Sequence, residues 1–286
     1  MRITTLIENH AAEAQAELAA EHGLSLHIEH SVEHDGQRIL FDTGASGAIV
    51  PNAQRLDIDL GRVDFAVLSH HHYDHGGGLE AFFAVNDHAP VYLRPAPDGD
   101  PTFHALLVIN RYIGLEEKLL DRHRDRFVFV EHFREVAPGV YLFAHIAHDY
   151  PQPKGNQYIY LKQAGGLVHD PFDHELVLAV RDPDGLVVFT GCAHSGARNM
   201  IRTVADKFPG DPIKAVVGGF HLIGLPLGKT MAGSRGEMLA LAGEMDRLPV
   251  GRYWTGHCTG DKAFGVLKEV LDARLLGLRT GLTIDV

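Results

Sequence analysis

Between Ser69 and Gly78 the chain reads SHHHYDHGGG, which places four histidines and one aspartate in the six positions His70 to His75 and follows them with three glycines. A strand alternates its side chains, so if Phe65 to Ser69 is extended, His70 and His72 leave its end on one side and can share an ion. Asp74 and His75 come after the strand has run out and can turn back toward a second position. The glycines would let backbone pass close beneath them. The pattern is H-x-H-x-D-H, with His71 and Tyr73 as spacers. Its context is suitable, because the apolar run VDFAVLS precedes it and GGGLEAFF, which opens like a helix, follows it.

Three more histidines stand where an apolar run ends in small residues: His194 in VVFTGCAHSG, His221 in AVVGGFHL and His257 in YWTGHCTG. Strand ends hold the backbone while leaving the side chain to do chemistry, so these are ligand candidates, His194 and His257 ahead of His221. Cys192 lies two residues before His194, and Cys258 follows His257, where it reads as a small buried apolar residue.

The elements that must position these groups are legible in outline. RITTLIE and LSLHIEHSVEH, an expected turn at Asp35-Gly36, and QRILFDTG form a hairpin or meander. AIVPNAQRL reads as a helix with Pro51 near its start. The stretch from about Pro95 to Arg126, with FHALLVINRYIGLEEKLLDRHRDR, has helical spacing of apolar residues and reads as a helical insertion (95–126) whose His104 and His123 belong to the surface. Strands resume from VFVEHF to ELVLAVRDPDGLVVFTG, with a hairpin at Pro183-Asp184-Gly185. Two strand and helix units follow: IKAVVGGF with SRGEMLALAGEMDRL, and GRYWTG with DKAFGVLKEVLDARL. One domain over 1–286 is expected, an α/β chain of two mixed sheets face to face with helices outside. No internal repeat is visible in the sequence.

With 286 residues, 45% of them hydrophobic, there is material for a substantial core. A formal charge of -11 argues against nucleic acid or an anionic membrane as partner. No apolar run reaches the length of a membrane span, and the first residues carry no signal-peptide pattern, so a cytoplasmic location is expected. Two cysteines make no disulfide framework.

LFDTG, SHHHYDHGGG, TGCAHSG and TGHCTG together resemble the metallo-beta-lactamase-fold hydrolases. Within them the branch labelled 7,8-dihydropterin-6-methyl-4-(beta-D-ribofuranosyl)aminobenzene-5'-phosphate synthase, or dihydropteroate-synthase-like, is similar also in EHGLSLHIE, GGFHL and GHCTG. The resemblance implies a four-layer alpha-beta-beta-alpha sandwich and two divalent metal ions, zinc first, with manganese or iron as alternatives. It implies His70, His72 and His194 on the first ion and Asp74, His75 and His257 on the second. The superfamily's bridging aspartate is replaced here by Cys192, which could bridge as a thiolate, sit behind the ligands, or leave the bridge to water. Asp42 in LFDTG resembles an aspartate that supports the ligand loop; a simple turn residue is the alternative.

Such a pair of ions generates a hydroxide nucleophile near neutral pH, and Asp74 could take part in catalysis by accepting its hydrogen bond. Esters, phosphoesters and lactones fit this chemistry, and the branch name points to a pterin phosphate. Lys154, Lys229, His148 and His22 are weak candidates for contacting such a small-molecule substrate; GLPLGKT is one residue short of a phosphate-binding P-loop. Two alternatives stand beside hydrolysis. A ligand-binding or sensor protein would keep the same metal ligands. A dinuclear iron oxidoreductase of this fold would typically carry glutamate where His72 stands, and so fits less well. A homodimer through exposed helices is compatible with the sequence.

Overall fold

Phe65–Val67 is a strand buried on both faces, as its unbroken apolar sequence requires. It pairs in parallel with Asp35–Phe41 on one side and with Val91–Leu93 on the other. Because the strand stops at Val67, the histidines that follow lie on a strand-end loop. That loop closes into the single helical turn Tyr73–Gly76. The amides of His75 and Gly76 both return to the carbonyl of His72, so Asp74 and His75 do turn back.

These residues belong to a computed structural model that describes residues 1–32, 35–106, 109–225 and 230–286. The chain divides into two compact units, Met1–Glu131 with Tyr160–Leu176 and Arg279–Val286, and His132–Ile159 with Val177–Leu278. The first unit holds a seven-stranded mixed sheet in the order 283–285, 2–7, 25–32, 35–41, 65–67, 91–93, 127–129. Its first three neighbouring pairs are antiparallel and its last three parallel. Leu6, Leu40, Ala66 and Leu68 meet Ile49 and Ala53 of the helix Ile49–Arg55 and Leu79 and Phe82 of the helix Leu79–Val85 in one core.

The second unit holds another seven-stranded mixed sheet, in the order 134–137, 140–143, 177–182, 185–189, 213–217, 250–255, 275–277. It too has three antiparallel pairs followed by three parallel ones. Its core joins Val188, Val216 and Tyr253 to Met200, Met238 and Leu267 of the helices Ala197–Lys207, Arg235–Asp246 and Asp261–Leu271. Ser234 and Glu237 form a reciprocal capping box at the start of Arg235–Asp246. Among the described residues no helix is long and apolar enough to cross a membrane.

Two local expectations are corrected. The helical insertion at 95–126 is mainly a β-hairpin, Asp100–Ala105 paired with Ile109–Tyr112, within a four-stranded sheet that also holds Ile159–Gln163 and Gly166–His169. Among the described residues there, only the turns Leu119–Arg122 and Arg124–Arg126 are helical. Short apolar runs fit both periods, and cross-strand pairing decided between them. Asp35 and Gly36 are strand residues, Gly36 opposite Ser31, because Ile28 pairs with Ile39 and Leu26 with Phe41. The Pro183-Asp184-Gly185 hairpin is present, with Asp182 opposite Gly185.

The glycines after the histidines are required for space. A Cβ on Gly77 would stand 2.2 Å from the Ala45 carbonyl oxygen, and one on Gly78 2.3 Å from that of Thr43. Both contacts are to backbone, which cannot swing aside. Gly77→Ala is therefore expected to lower unfolding free energy by about 2–3 kcal/mol, measured by urea denaturation of the metal-free protein. An unchanged midpoint would show that the loop is looser than this packing.

Candidate metal centre

In the first unit the ligand loop is built around Asp42. This residue ends the strand Asp35–Phe41 with a left-handed backbone, φ 59°, and is 1% exposed. Its Oδ1 accepts the Ser69 amide at 2.7 Å, and its Oδ2 accepts the Ser69 hydroxyl at 2.8 Å and His75 Nδ1 at 2.6 Å. The Ser69 hydroxyl has one proton, already given to Asp42, so at 2.8 Å its oxygen accepts from His70 Nδ1–H. Both rings are thereby held as the Nδ1–H tautomer, with Nε2 turned away as a lone-pair nitrogen, the form a metal needs. Thr43 fixes the same turn from its amide and hydroxyl, both donating to the His75 carbonyl at 2.6 and 3.0 Å.

His70, His72, Asp74 and His75 are all buried. The ring of His70 lies 4.5 Å from that of His72 and 4.2 Å from that of His75, centroid to centroid. Asp74 Oδ2 stands 3.3 Å from Nε2 of the half-exposed His22. Burial, and then the neighbouring His174, push the His72 imidazole down to about 3, so it is neutral at physiological pH as a ligand must be.

Behind these residues is a layer that motif reading overlooked. His174 Nδ1 accepts the His71 amide at 3.3 Å, so its Nε2 carries the proton and donates to Asp170 Oδ2 at 3.1 Å. His72, Asp170 and His174 have ligand atoms within 4.8 Å of one another. Because both His174 nitrogens are engaged, we read this trio as a buttress for the ligand loop. His71, counted above as a spacer, is buried and donates from Nε2 to the Arg94 carbonyl at 2.7 Å. The acid and the histidine four residues apart in HDPFDHE were the one available signal.

In the second unit the candidates follow three strands of the parallel half, Gly185–Phe189, Ile213–Val217 and Val250–Thr255. The carboxyl ends of parallel strands are where open sheets place ligands. His194, His221 and His257 are 1%, 8% and 2% exposed. Ala193, His221 and His257 have φ of 59°, 46° and 48°, left-handed values costing about 1–3 kcal/mol each outside glycine. Asn156 clamps His194 at two points, its amide donating to the His194 carbonyl at 2.9 Å and its oxygen accepting from His194 Nδ1 at 3.1 Å. This ring too is an Nδ1–H tautomer with Nε2 turned outward. Nothing in PKGNQ had marked Asn156. The His221 ring lies 4.1 Å from that of His194. Cys192 and Cys258 are buried and form no disulfide, and Cys258, expected as mere filling, has its sulfur within 4.8 Å of both the Cys192 sulfur and a His221 nitrogen.

The remaining substrate-contact candidates fare differently. Lys154 is exposed and its ammonium is bound to the Glu237 carboxylate. His148 is exposed. Lys229 lies outside the described residues. His104 and His123 rest on Asn110 and Glu80.

Removing Asp42 tests the first layer. Asp42→Asn replaces one acceptor oxygen by an NH2, which would face either the Ser69 amide or the Ser69 hydroxyl and His75 Nδ1, so zinc affinity is expected to fall about 10–100-fold in a chelator-competition titration. Undiminished affinity would make Asp42 a turn residue only. Acid stability tests the burial of the histidines. Burial first, then His174, lower His71 from 6.5 to about 3. Below 6.5 the unfolded chain thus binds a proton that the folded chain refuses, and stability falls as pH drops toward 3. Metal-free protein should lose about 1.4 kcal/mol per pH unit for each such histidine, and His71→Gln should remove one histidine's share of the slope in urea melts.

The model of the Metallo-beta-lactamase superfamily matches residues 31–257. The chain is 28% identical over 281 residues to the 7,8-dihydropterin-6-methyl-4-(beta-D-ribofuranosyl)-aminobenzene-5'-phosphate synthase of Methanocaldococcus jannaschii, covering 94% of this chain and 91% of that protein. The crystal structure of a metal-dependent hydrolase of the beta-lactamase superfamily superimposes with a TM-score of 0.80 at 29% identity, covering 100% of this chain and 99% of the other. Zn2+-bound PqqB from Methylobacterium extorquens shares the fold, with a TM-score of 0.57 at 13% identity over 100% of both chains. With a family match across most of its length and histidine groups buried and oriented as ligands, the chain belongs to the metallo-beta-lactamase superfamily, among its metal-dependent hydrolases.

Proposed function

We propose that this protein hydrolyses a small-molecule ester, phosphoester or lactone at two divalent ions, held by His70, His72 and His194 and by Asp74, His75 and His257. The observation that carries the proposal is the fixed protonation of His70, His75 and His194 at Nδ1 by Ser69, Asp42 and Asn156. Side chains kept only for packing have no need of such control. Zinc, manganese or iron, when bound, would acidify water near neutral pH and stabilise charge on the attacked group.

The chain's own groups do the rest. Asp74 would supply a carboxylate, and its Oδ2, 3.3 Å from Nε2 of the half-exposed His22, would have a partner through which to pass a proton toward solvent. His72 stays uncharged because it is buried, and the Asp170–His174 pair keeps the loop behind it from shifting. A pterin phosphate is the first substrate to try, supported by the relationship over 94% of the chain to the M. jannaschii synthase. Lys154 would meet a phosphate only by leaving Glu237. The formal charge of -11 favours a small molecule over nucleic acid as partner.

Elemental analysis of protein purified without chelator or tag histidines should find about two equivalents of metal per chain, falling in Asp74→Ala. With metal restored, Asp74→Ala and His72→Ala should each lower kcat/KM on a generic phosphodiester or lactone by about 100-fold or more. Full activity in both variants would end the dinuclear reading. Metal without turnover of any ester, lactone or pterin phosphate would mean a protein that holds its ligand without cleaving it.

A further inference from the structure

The second unit contains three side chains at the margin of the hydrolytic scheme, and one of them, Cys192, also has its sulfur within 4.8 Å of a His194 nitrogen. We propose that Cys192, His221 and Cys258 form a soft-cation site adjoining His194, two sulfurs and one nitrogen suited to zinc or cuprous ion. Their ligand atoms lie within 4.8 Å of one another, and the three residues are 3%, 8% and 3% exposed. They come from three separate strand-end loops, so their meeting is a product of the sheet and not of a local sequence motif.

Two features mark the place as built. Neither His221 nitrogen, both of them buried, makes a hydrogen bond of normal geometry among the described residues, a costly arrangement for a core imidazole. The residue adopts φ 46° to put its ring there. The surrounding backbone is cut to fit: a Cβ on Gly155 would stand 2.8 Å from the His221 ring, and one on Gly219 would stand 2.3 Å from the Cys258 sulfur. A plain buried thiol is the competing reading, since Cys258 can donate to the Cys192 carbonyl at 3.5 Å.

The inference does not depend on hydrolysis, and the test keeps the two apart. Reduced full-length protein is titrated with cadmium, and X-ray absorption at one equivalent counts the sulfur neighbours of the ion. The expected result is both sulfurs on one cadmium, with sulfur-to-metal charge-transfer absorption that drops in Cys258→Ser. His221→Asn should weaken cadmium binding, and Asp74→Ala should leave the absorption intact even where it abolishes turnover. Fewer than two sulfurs, or absorption indifferent to Cys258→Ser, would overturn the site. So would loss of the absorption in Asp74→Ala, because Cys192 would then be serving the other ions alone. The sulfur count is made on the unaltered chain and stands even if a variant does not fold.

Discussion

The carboxylate of Asp42 is the constraint on which the ligand loop of the first unit depends. One buried anion takes three donors, two from Ser69 and one from His75, and through the Ser69 hydroxyl it also dictates the protonation of His70. Charge-assisted hydrogen bonds in a buried setting are strong and directional. A single residue therefore sets two imidazoles and the path of the backbone between them. The left-handed conformation of Asp42 is the cost of pointing that carboxylate inward.

The second unit solves the same problem with a neutral group. Asn156 holds the His194 ring and its carbonyl together, while the hydroxyls of Thr255 and Thr259, 2.5 Å apart, and the Phe220 amide on Thr259 tie the His221 and His257 loops to one another. Asp42, Ala193, His221 and His257, candidate ligands or residues that hold or flank them, are left-handed, as are Asp57, Leu106, Lys118, Phe172 and Asp272 elsewhere. Rigid scaffolding with locally forced backbone is how precise ligand geometry is maintained.

The candidate site was legible in the sequence because metal ligands must be of particular types at particular spacings. His70, His72, Asp74 and His75 stand out as candidates on that ground and are buried together, and the Thr-Gly pairs before Cys192 and His257 mark strand ends. What supports the ligands was not legible. Asn156, Ser69 and Asp170 act through one or two hydrogen bonds, for which many residue types would serve, so their identity carries no signature. The hairpin at Asp100–Tyr112 was misread for a different reason: short amphipathic runs satisfy both the strand and the helix period, and long-range pairing chose between them. The likeness of the two seven-stranded sheets, each three antiparallel pairs followed by three parallel ones, left no repeat in the sequence. Sheet topology needs only apolar strands in order, and many sequences meet that demand.

The composition of the first unit has a consequence for how the chain becomes a folded protein. Its sheet ends in Thr283–Asp285 laid against Arg2–Thr4, and it also includes Tyr160–Leu176. The second unit, by contrast, is drawn from His132–Ile159 and Val177–Leu278. On a ribosome, Arg2–Ile7 must therefore wait for Thr283–Asp285 before the sheet gains that strand, whereas the second unit has all its parts by Leu278. Such pairing across almost the whole chain is slow to form and leaves an open strand edge meanwhile. Of the two units, the one begun earlier, which carries H-x-H-x-D-H, is the one completed later.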